Sequence, residues 1–572
     1  MKVTHLLIPL CLCWFPFNPA QSQQSLHLPD TLSGPVFNLN IRDSSKVFFA
    51  GFSTTTIGIN ADYLGPVLFL NKGDSIQFHV TNHLSDTTTL HWHGLHVSPQ
   101  NDGGPHVTIL PGATWSPAFT VRDQASTHWY HPHLHMMTNK HVSRGATGMI
   151  IVRDSIESTL ALPRTYGTDD FPLIVQTKSF DTSNQISFDN PFDSTVVVNG
   201  SIDPILNAPA QVIRLRILNA ASERVFNIGF QGNFSFNLIG TDGGLLEAPV
   251  LLSRLSLSPG ERAEILLDLG GLNGQTLDMI SFASQLPNAV YGASQPGMGP
   301  GQIIPGYSTN PLNGADFRLL RIQVQAAGSN PISSIPNTLV PSNPIPPGSA
   351  NATRSLTFMP MNMGPTAIQG PFMINNQMFD QNIINYTIPL GNTEIWTLTN
   401  QSPIAHPFHI HNTSFTILDI NGAAPPAHLA GKKDVVLVPA GMGTVRFIAR
   451  FEDFCDSIFP YMYHCHMLPH EDHGMMGQFI VACPTSTGEI EEQHQPRIEI
   501  LPNPAFNNLN ITGLPDVEFT EFLIVDLLGK SVKSGSLSAN QNSIPVSDLP
   551  PGPYLIRISG KNWNQTIRWI RE

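Results

Sequence analysis

Apolar and polar residues alternate over short stretches along most of this chain, and Gly, Pro or Asn separates the stretches. Ile76-Gln77-Phe78-His79-Val80 and Glu394-Ile395-Trp396-Thr397-Leu398 are two examples. A period of two residues is typical of β-strands with one buried face. No long stretch has the period of an amphipathic helix. The pattern therefore predicts an all-β chain built from β-sandwiches.

One arrangement of strands and turns recurs three times, and it sets the expected number of sandwiches. Each copy has an alternating strand that ends in Asn, followed later by a turn that contains Pro and Gly. The alternating strands are residues 76–82, 213–219 and 394–400. The first and third copies have paired histidines after this strand, whereas the second has Phe226-Asn227-Ile228-Gly229. We therefore expect three sandwiches, of which the middle one holds no metal and spaces the other two.

Composition and charge restrict the class of protein. At 572 residues the chain is long enough for three or four domains. Charged residues make up only 12% of it, and the formal net charge is −13. An acidic chain without a basic stripe is unsuited to binding nucleic acid. The low charge and the many Gly and Pro residues suit a secreted, loop-rich β protein.

The N-terminus indicates a secretory signal peptide. Met1-Lys2 precedes an apolar run from about Leu6 to Phe17, and small and polar residues follow at Ala20-Gln21-Ser22. The run is too short for a membrane span, and no span follows it. We expect export and a mature chain without a transmembrane segment. A buried first strand is the less favoured alternative.

The segment His464-Cys465-His466 can face two metal sites at once. Successive side chains of a strand point to opposite faces, so the two histidines lie on one side and Cys465 on the other. One thiolate, two imidazoles and a distant thioether are the ligands of a blue-copper electron-transfer site. The chain offers this set as Cys465, His470, Met475 and, as the second histidine, His406.

Four His-x-His pairs supply imidazoles for a second site. A single pair is more often an ordinary exposed strand pair, but four pairs, one of them around a cysteine, predict a metal cluster. The eight histidines are His91, His93, His131, His133, His409, His411, His464 and His466. Because half of them belong to the first repeat and half to the third, the cluster should form where those two sandwiches meet. Folding and metal binding should then be coupled.

The segments HWHG, WYHPH, HPFHIH and HCHMLPHEDHGMM resemble, in order and internal spacing, the four copper-binding motifs of the multicopper oxidases. This family includes laccases, bilirubin oxidase and the copper-efflux oxidases. The resemblance implies three cupredoxin-like Greek-key β-sandwich domains and four copper ions. It implies type 1 copper on His406, Cys465, His470 and Met475, and type 2 copper on His91 and His409. It implies a type 3 pair on His93, His131, His133, His411, His464 and His466.

The expected chemistry couples a small-molecule or metal-ion reductant to O₂. Electrons taken up at Cys465 can cross to the cluster through the backbone to His464 and His466, and four coppers can deliver the four electrons that reduce O₂ to two waters. Acids near the cluster should supply protons. The resemblance implies this role for Asp102 and Glu471, with a solvated loop carboxylate as the alternative for each.

The expected activity is that of a laccase, which oxidises phenolic or aromatic substrates. The alternative is a cuprous or ferrous metallo-oxidase for metal detoxification, and a bilirubin-type oxidase would share the same motifs. Copper nitrite reductase lacks the four histidine pairs. A copper-storage or electron-carrier protein would need only the Cys465 site. Met359, Met361 and Met363 lie at strand spacing, and we interpret them as core residues rather than as ligands for Cu(I).

The residues after Cys483 form a separate β-module. The acidic segment Gly488-Glu489-Ile490-Glu491-Glu492-Gln493 precedes it, and the basic segment Ile567-Arg568-Trp569-Ile570-Arg571-Glu572 ends it. The module resembles the C-terminal sorting domain of cargo exported by type IX secretion. This resemblance implies the secretion machinery as a partner and a secreted or cell-surface location reached through the periplasm. A carbohydrate-binding sandwich is the alternative.

The cysteines leave one question open. Cys11 and Cys13 lie in the expected signal peptide, and Cys465 is an expected ligand. Cys455 and Cys483 remain in an exported chain, where thiols oxidise. A disulfide and two separate buried thiols both fit the sequence, which does not give Cβ geometry.

These patterns divide the chain into an expected order of segments, and we expect the whole to be a monomer. The segments are a signal peptide (1–22), cupredoxin domain 1 (23–163), cupredoxin domain 2 without copper (164–330), a linker (331–350), cupredoxin domain 3 (351–484), a second linker (485–496) and a small C-terminal β-sandwich sorting domain (497–572).

Overall fold

The computed structural model of the protein describes residues 24–188, 191–341, 343–483, 498–514, 520–526, 531–537, 542–560 and 563–572. The chain forms two compact units, Met1–Cys483 and Pro484–Glu572. The expected signal peptide and the expected linker 485–496 lie outside the described residues. None of the helices in the described ranges has the length and apolar character needed to span a membrane.

The first sandwich of the first unit packs two sheets around a core that includes Phe78, Trp92 and Ile150. The first described strand of the chain, β1, is Gln24–Ser25. The strands of the first sandwich are β2 (Thr31–Ser33), β3 (Val36–Phe49), β4 (Phe52–Ile59), β5 (Val67–Asn71), β6 (Ser75–Asn82), β7 (His91–His93), β8 (Thr114–Trp115), β9 (Ala118–Thr120), β10 (Ser126–His131) and β11 (Gly148–Arg153), with helix α1 (Thr138–Arg144) before β11. One sheet has the order β2-β5-β11-β10-β7, and the other is β4-β3-β6 with β8 and β9 beside β6.

The middle sandwich packs around a core that includes Phe171, Leu215 and Phe226. Its strands are β12 (Asp170–Phe180), β13 (Ile186–Ser187), β14 (Thr195–Val198), β15 (Pro204–Pro209), β16 (Val212–Asn219), β17 (Phe226–Phe230), β18 (Phe236–Thr241), β19 (Gly244–Leu252), β20 (Leu255–Leu257), β21 (Arg262–Asp268), β22 (Thr276–Phe282) and β23 (Asp316–Gln325). The sheet orders are β13-β12-β16-β21-β18-β19 and β1-β15-β23-β22-β17-β20. The N-terminal strand β1 therefore pairs with the middle sandwich and not with the first.

The third sandwich packs around a core that includes Trp396, Phe408 and Phe447. Its strands are β24 (Ala352–Pro360), β25 (Phe372–Ile374), β26 (Tyr386–Pro389), β27 (Asn392–Asn400), β28 (His406–Ile410), β29 (Phe415–Ile420), β30 (Val435–Val438), β31 (Gly443–Phe451), β32 (Tyr461–Cys465) and β33 (Met476–Ala482), with helix α2 (Leu468–Asp472) between the last two. The sheet orders are β25-β24-β27-β31-β29 and β26-β33-β32-β28-β30.

The second unit has its own core, which includes Ile524, Ile556 and Trp569. Its strands are β34 (Glu499–Leu501), β35 (Asn508–Thr512), β36 (Thr520–Asp526), β37 (Ser531–Leu537), β38 (Ser543–Pro545), β39 (Gly552–Gly560) and β40 (Trp563–Arg571). They form the sheets β34-β35-β38 and β37-β36-β39-β40. With three sandwiches in the first unit and this small two-sheet module, the predicted all-β fold is confirmed.

The Asn that ends each predicted repeat strand has the same structural role in all three sandwiches. Its side-chain oxygen accepts the backbone N–H two residues later, and its amide donates to a carbonyl across the sandwich. These donations are from Asn82 to Ile109, from Asn219 to Leu257 and from Asn400 to Val438. A buried amide that satisfies two backbone groups fixes the turn after the strand, which explains why the sequence repeats there.

The interpretation of the Met359 to Met363 segment as core is wrong for Met361 and Met363, and Met359 is only half-buried. Strand β24 ends at Pro360, so the alternation does not continue beyond it. Met361 and Met363 are 44% and 83% exposed. Strand spacing in a sequence predicts alternate burial only while the strand lasts.

Cys455 and Cys483 form a disulfide across a sequence separation of 28 residues, which resolves the question that the sequence leaves open. The bond joins the segment before β32 to the residue just after β33. It therefore closes a loop around the strand that carries Cys465.

Removing this disulfide should destabilise the first unit. For a loop of this length, the chain-entropy account gives a loss of about 3 to 4 kcal/mol in the free energy of unfolding. Urea unfolding of the Cys455→Ser, Cys483→Ser double variant would measure the loss. Either single variant should lose as much, since each removes the same bond, and an unchanged unfolding midpoint in all three would contradict the prediction.

Candidate metal centres

The eight histidines of the four pairs form one buried cluster between the first and third sandwiches. None of them is more than 2% exposed. In the first sandwich, the register of β7 and β10 pairs His91 with His131. In the third, the register of β28 and β32 pairs His409 with His464. Adjacent antiparallel strands thus bring the predicted ligands of different motifs side by side in each sandwich.

Six of the rings form two groups of three. In one group, Nε2 of His131 and Nε2 of His466 lie 3.4 and 3.2 Å from Nδ1 of His93. In the other, Nε2 of His133 and Nε2 of His464 are 3.1 Å apart. The second group also includes His411, and the ligand atoms of each group all lie within 4.8 Å of one another.

The remaining two histidines, His91 and His409, converge with His411 in a further group. Nε2 of each of these three rings is buried and has no hydrogen-bond partner within the described part of the chain. A buried nitrogen without a partner is costly, and lone pairs that point at one place repel each other. A cation bound between them would remove both costs, so these residues fit a metal.

Burial favours the neutral form of four cluster histidines. It lowers the pKa of His93, of His131 and of His466 well below the ordinary value, and that of His464 to about 3. A neutral imidazole has one nitrogen with a free lone pair. These four histidines therefore present uncharged nitrogen ligands at neutral pH.

Protein oxygens accept a hydrogen bond from the other ring nitrogen of most cluster histidines, which fixes the nitrogen left for a metal. Such outer bonds are usual for histidines that bind metals. The acceptors are the carbonyls of Asp102 for His91, Pro132 for His131, Asp434 for His409 and Cys465 for His464, together with the carboxylates of Asp102 for His411 and Asp434 for His93.

Both predicted acids lie against the cluster, and neither is a solvated loop residue. Asp102 is 2% exposed and accepts the Nδ1 hydrogen of His411 at 2.8 Å. Glu471 is 1% exposed, and its two carboxyl oxygens lie 3.3 Å from Nδ1 of His133 and 3.3 Å from Nδ1 of His464. Burial raises the pKa of Glu471 well above its ordinary value. The carboxyl group of Glu471 thus bridges the first and third sandwiches.

Asp472 fixes the position of Glu471. Its two carboxylate oxygens accept the backbone N–H groups of Thr138 and Asn139, each at 2.9 Å, at the start of α1. Helix α2 of the third sandwich is thereby attached to α1 of the first. The sequence does not indicate this contact, because Thr138 lies 334 residues before Asp472.

The second site surrounds Cys465, which is the free cysteine of the described chain and is buried. Its Sγ lies 3.5 Å from Nδ1 of His406 and 3.6 Å from Nδ1 of His470. Burial raises the pKa of the Cys465 thiol, whereas a bound metal holds a coordinating thiol deprotonated. Met475 is buried in the same core, and its carbonyl accepts the N–H of Cys465. The four predicted ligands are thus gathered in one region.

Two polar side chains outside the motifs touch this second site. The hydroxyl of Ser402 lies 2.7 Å from Nε2 of His406. The Glu223 carboxylate, from the middle sandwich, lies 3.7 Å from Nε2 of His470, whose side chain is 12% exposed. The edge of His470 is therefore the part of this site closest to solvent. Sequence reasoning misses both residues, because neither belongs to a histidine motif.

A pocket of about 420 Å³ adjoins Ser402. Its lining includes Met298, Met363 and Gly441. The two methionines are 55% and 83% exposed. Thioether groups therefore line an open cavity next to the residue that holds His406.

Comparison with known proteins gives three family matches. Models of the multicopper oxidases match residues 42–157 and 347–484. A model of the secretion system C-terminal sorting domain matches residues 499–572. The two oxidase matches cover the four histidine motifs, and the third covers the second compact unit.

Two curated relatives cover most of the chain. A multicopper oxidase of Staphylococcus haemolyticus is 32% identical over 455 residues, which is 78% of this chain and 88% of the relative. The cell division protein FtsP of Escherichia coli is 31% identical over 488 residues, which is 83% of this chain and 96% of the relative.

Solved structures share the fold of the first unit. The laccase-like multicopper oxidase CueO of Ochrobactrum sp., which has oxidase activity towards lignin model compounds, superimposes with a TM-score of 0.70 at 31% identity and covers 80% of this chain and 100% of its own. A metallo-oxidase of Campylobacter jejuni has a TM-score of 0.66 at 25% identity and covers 81% of this chain and 98% of its own.

Proposed function

The chain belongs to the multicopper oxidase family, and on this premise we propose that it is a laccase-type oxidase. It would take single electrons from a phenolic or aromatic reductant at the Cys465 site and reduce O₂ to water at the histidine cluster. The observation that carries the proposal is the complete ligand set. One strand, β32, contributes Cys465 to one group of ligands and His464 to the other. The other predicted histidines lie in these two groups, and Met475 is buried in the same core as Cys465.

We assign four coppers to these ligands. The close approach of ring nitrogens within each group supports the assignment. Type 1 copper would bind His406, Cys465, His470 and Met475, and type 2 copper would bind His91 and His409. One type 3 copper would bind His93, His131 and His466, and the other would bind His133, His411 and His464.

The chain's own residues supply the connection and the protons. When bound, the coppers would supply one-electron oxidation at the first site and four-electron reduction of O₂ at the second. Cys465 is joined to His464 and His466 by backbone bonds, so a covalent path links the sites. Glu471 would hold a proton between His133 and His464, because burial favours its neutral form. Asp102 would act in proton delivery at Nδ1 of His411, another histidine of the same group.

The surroundings of His470 support a phenolic reductant. A phenol gives up a proton as well as an electron when it is oxidised to a radical. The Glu223 carboxylate lies 3.7 Å from the accessible edge of His470. It could accept that proton as a general base while the ring of the phenol lies against His470.

A cuprous metallo-oxidase is the second candidate, and the exposed methionines favour it. Thioethers are soft ligands that suit Cu(I), and Met298 and Met363 line the pocket beside Ser402. The metallo-oxidase of Campylobacter jejuni shares the fold. We place this candidate second because a methionine-lined pocket also suits an aromatic ring.

Similarity alone does not separate an oxidase from a cell division protein, since FtsP is nearly as similar as the oxidases. The proposed ligands favour the oxidase. A cell-division role, copper storage or simple electron carriage would give no reason to keep eight buried imidazoles beside a complete Cys465 site. Because one chain supplies every proposed ligand, the functional unit would be a monomer.

We propose the domain boundaries that the sequence predicts, with β1 assigned by its pairing to the middle sandwich. The sorting domain indicates export to the cell surface or the medium. The proposed route uses a signal peptide at residues 1–22, passage through the periplasm and then type IX-like secretion by the machinery that recognises the second unit.

Copper analysis tests the oxidase assignment. The loaded protein should contain four coppers per chain and be blue. Cys465→Ser should retain three, lose the colour and stop O₂ uptake, since only the thiolate site and its covalent path are removed. Metal analysis, visible absorption and an oxygen electrode would measure this, with wild type loaded in parallel. One copper per chain in a fully active wild type would rule out the assignment.

Substitution of Glu223 tests the reductant. Glu223→Gln should lower kcat/KM for a phenol by about 100-fold, the usual size of a general-base contribution, and leave Cu⁺ oxidation unchanged. Steady-state O₂ uptake with a phenol, Fe²⁺ and Cu⁺ would measure this, and the exposed Glu247→Gln in the same sandwich is the control. If the phenol rate is unchanged while Met298→Leu and Met363→Leu lower Cu⁺ oxidation, the metallo-oxidase is the correct choice.

Truncation tests the role of the second unit. Removal of residues from about Gln495 onward should leave a blue protein with four coppers and unchanged turnover, since every proposed ligand lies in the first unit. In the native host, the truncated protein should stay in the periplasm. Fractionation of cells with an antibody against the first unit would locate it, with the full-length chain as control. Loss of copper binding in the purified truncated protein would contradict the proposal.

A further inference from the structure

We propose that the middle sandwich, which supplies no copper ligand, positions two histidines of the cluster through Arg262 acting on Asp434. The only role that the sequence predicts for this sandwich is to space its neighbours. The inference rests on the proposed function, because it takes His93 and His409 as copper ligands. Arg262 and Asp434 are positioning residues in it, and neither would touch a copper.

Arg262 is a buried arginine at the start of β21, and its side chain is 0% exposed. All five of its guanidinium N–H groups have a protein acceptor, and the acceptors come from all three sandwiches. Two N–H groups form a fork with the Asp434 carboxylate, at 2.5 and 2.6 Å. The others donate to the carbonyls of Thr127, Gly260 and Asp242, at 3.1, 3.1 and 3.0 Å.

Asp434 transmits this contact to two cluster histidines. Its Oδ1 accepts the Nε2 hydrogen of His93 at 3.2 Å, and its backbone carbonyl accepts the Nδ1 hydrogen of His409 at 2.8 Å. These bonds leave Nδ1 of His93 and Nε2 of His409 as the metal-facing atoms. The two rings stack with centroids 3.8 Å apart. One aspartate therefore sets the tautomer and the direction of a type 2 and a type 3 ligand.

The chemistry of arginine explains why this residue suits the position. A buried carboxylate without a cation is strongly destabilising. The planar fork of arginine binds both carboxylate oxygens in one orientation, which the single ammonium group of lysine does not do. The fork thus holds the Asp434 carboxylate in one orientation, with Oδ1 directed at His93.

The contact belongs to a larger buried seam between the middle and third sandwiches. Lys433, next to Asp434, forms ion pairs with Asp242 at 2.8 Å and with Glu261 at 2.7 Å. Asp242 also accepts the backbone N–H of Arg262 at 2.8 Å. The backbone at Lys433 and Asp434 is therefore held by Asp242 and Glu261 of the middle sandwich as well as by Arg262.

Two glycines show how closely the backbone approaches this region. A Cβ on Gly260 of the middle sandwich would lie 3.0 Å from the ring of His466, a third cluster histidine. A Cβ on Gly94 would lie 2.6 Å from atoms of both Arg262 and Asp434. The middle sandwich therefore packs directly against the cluster, independently of the arginine contact.

The test compares copper binding in Arg262→Gln, Arg262→Lys and Asp434→Asn with wild type. Removal of such outer contacts lowers metal affinity by about 10- to 100-fold. Copper retained per chain after competition with a chelator, and the type 2 signal in electron paramagnetic resonance, would report the cluster. Blue absorption would report the Cys465 site, which should be unaffected. Arg262→Lys keeps the charge and loses the fork, so the copper it retains should lie between the amounts retained by wild type and by Arg262→Gln.

Arg214→Gln is the matched control. Arg214 is also a buried arginine of the middle sandwich, but it pairs with Glu157 and Glu264. Its loss should lower stability without changing copper content or the type 2 signal. If Arg214→Gln loses cluster copper to the same extent, the effect is general destabilisation and the inference is overturned.

The other outcomes are also decisive. Full cluster copper and a wild-type type 2 signal in both Arg262→Gln and Asp434→Asn would overturn the inference. If Arg262→Gln does not fold, folded and blue Asp434→Asn and Arg262→Lys proteins that lose cluster copper would support it, and ones that keep it would overturn it. A wild type that binds no cluster copper would instead overturn the proposed function, and the inference with it.

Discussion

The cluster requires eight imidazoles from two sandwiches to converge in a buried space, and many contacts of the first unit serve that requirement. Each ring has to direct one nitrogen into the cluster, and its other nitrogen needs a hydrogen-bond acceptor on the protein. Carbonyls and carboxylates do this for six of the eight rings, so the metal-facing atoms are chosen by hydrogen bonds made outside the cluster. The fold is therefore organised as much around these oxygens as around the histidines.

The same requirement explains the buried carboxyl groups at the junction. Asp102, Glu471 and Asp434 are almost completely buried where the sandwiches meet. Buried ion pairs usually add little net stability, because desolvation offsets their attraction. The value of these groups is geometric, since Asp102 and Asp434 each accept a ring hydrogen and hold that ring in one orientation, while Glu471 lies 3.3 Å from two rings. Asp472 positions Glu471 indirectly, because it attaches the end of α2 to the start of α1.

Local patterns in the sequence predict the fold, and they identify the histidines that the structure brings together. Alternation, the recurring Asn of each repeat and the spacing within each histidine motif are all properties of neighbouring residues, and the structure uses them as expected. The error at Met361 and Met363 has a local cause too, because Pro360 ends the strand that the spacing extends. The two-residue strand β1 is too short to carry a period, so its pairing with the middle sandwich has no sequence signal.

Most of the residues that sequence reasoning misses act over long separations, and Ser402, four positions before His406, is the exception. Arg262 contacts Asp434 across 172 positions, and Glu223 and His470 lie in different sandwiches. Neither pair has a spacing that marks it. The Cys455 and Cys483 bond depends likewise on Cβ geometry, which only the folded chain provides. Motifs thus indicate the groups proposed to bind metal, whereas the groups that orient them emerge from tertiary structure.

The middle sandwich borders both proposed copper sites. Its lack of histidine pairs therefore does not mean that it has no role at these sites. Arg262 and Gly260 lie at the cluster, while Glu223 lies beside His470, and the carbonyl of Ser222 accepts the N–H of Leu468 at the start of α2. A domain that only separated its neighbours would not need these particular side chains at these positions. Because it supplies a cation to one site and a carboxylate to the other, the middle sandwich constrains ligands that it does not contain.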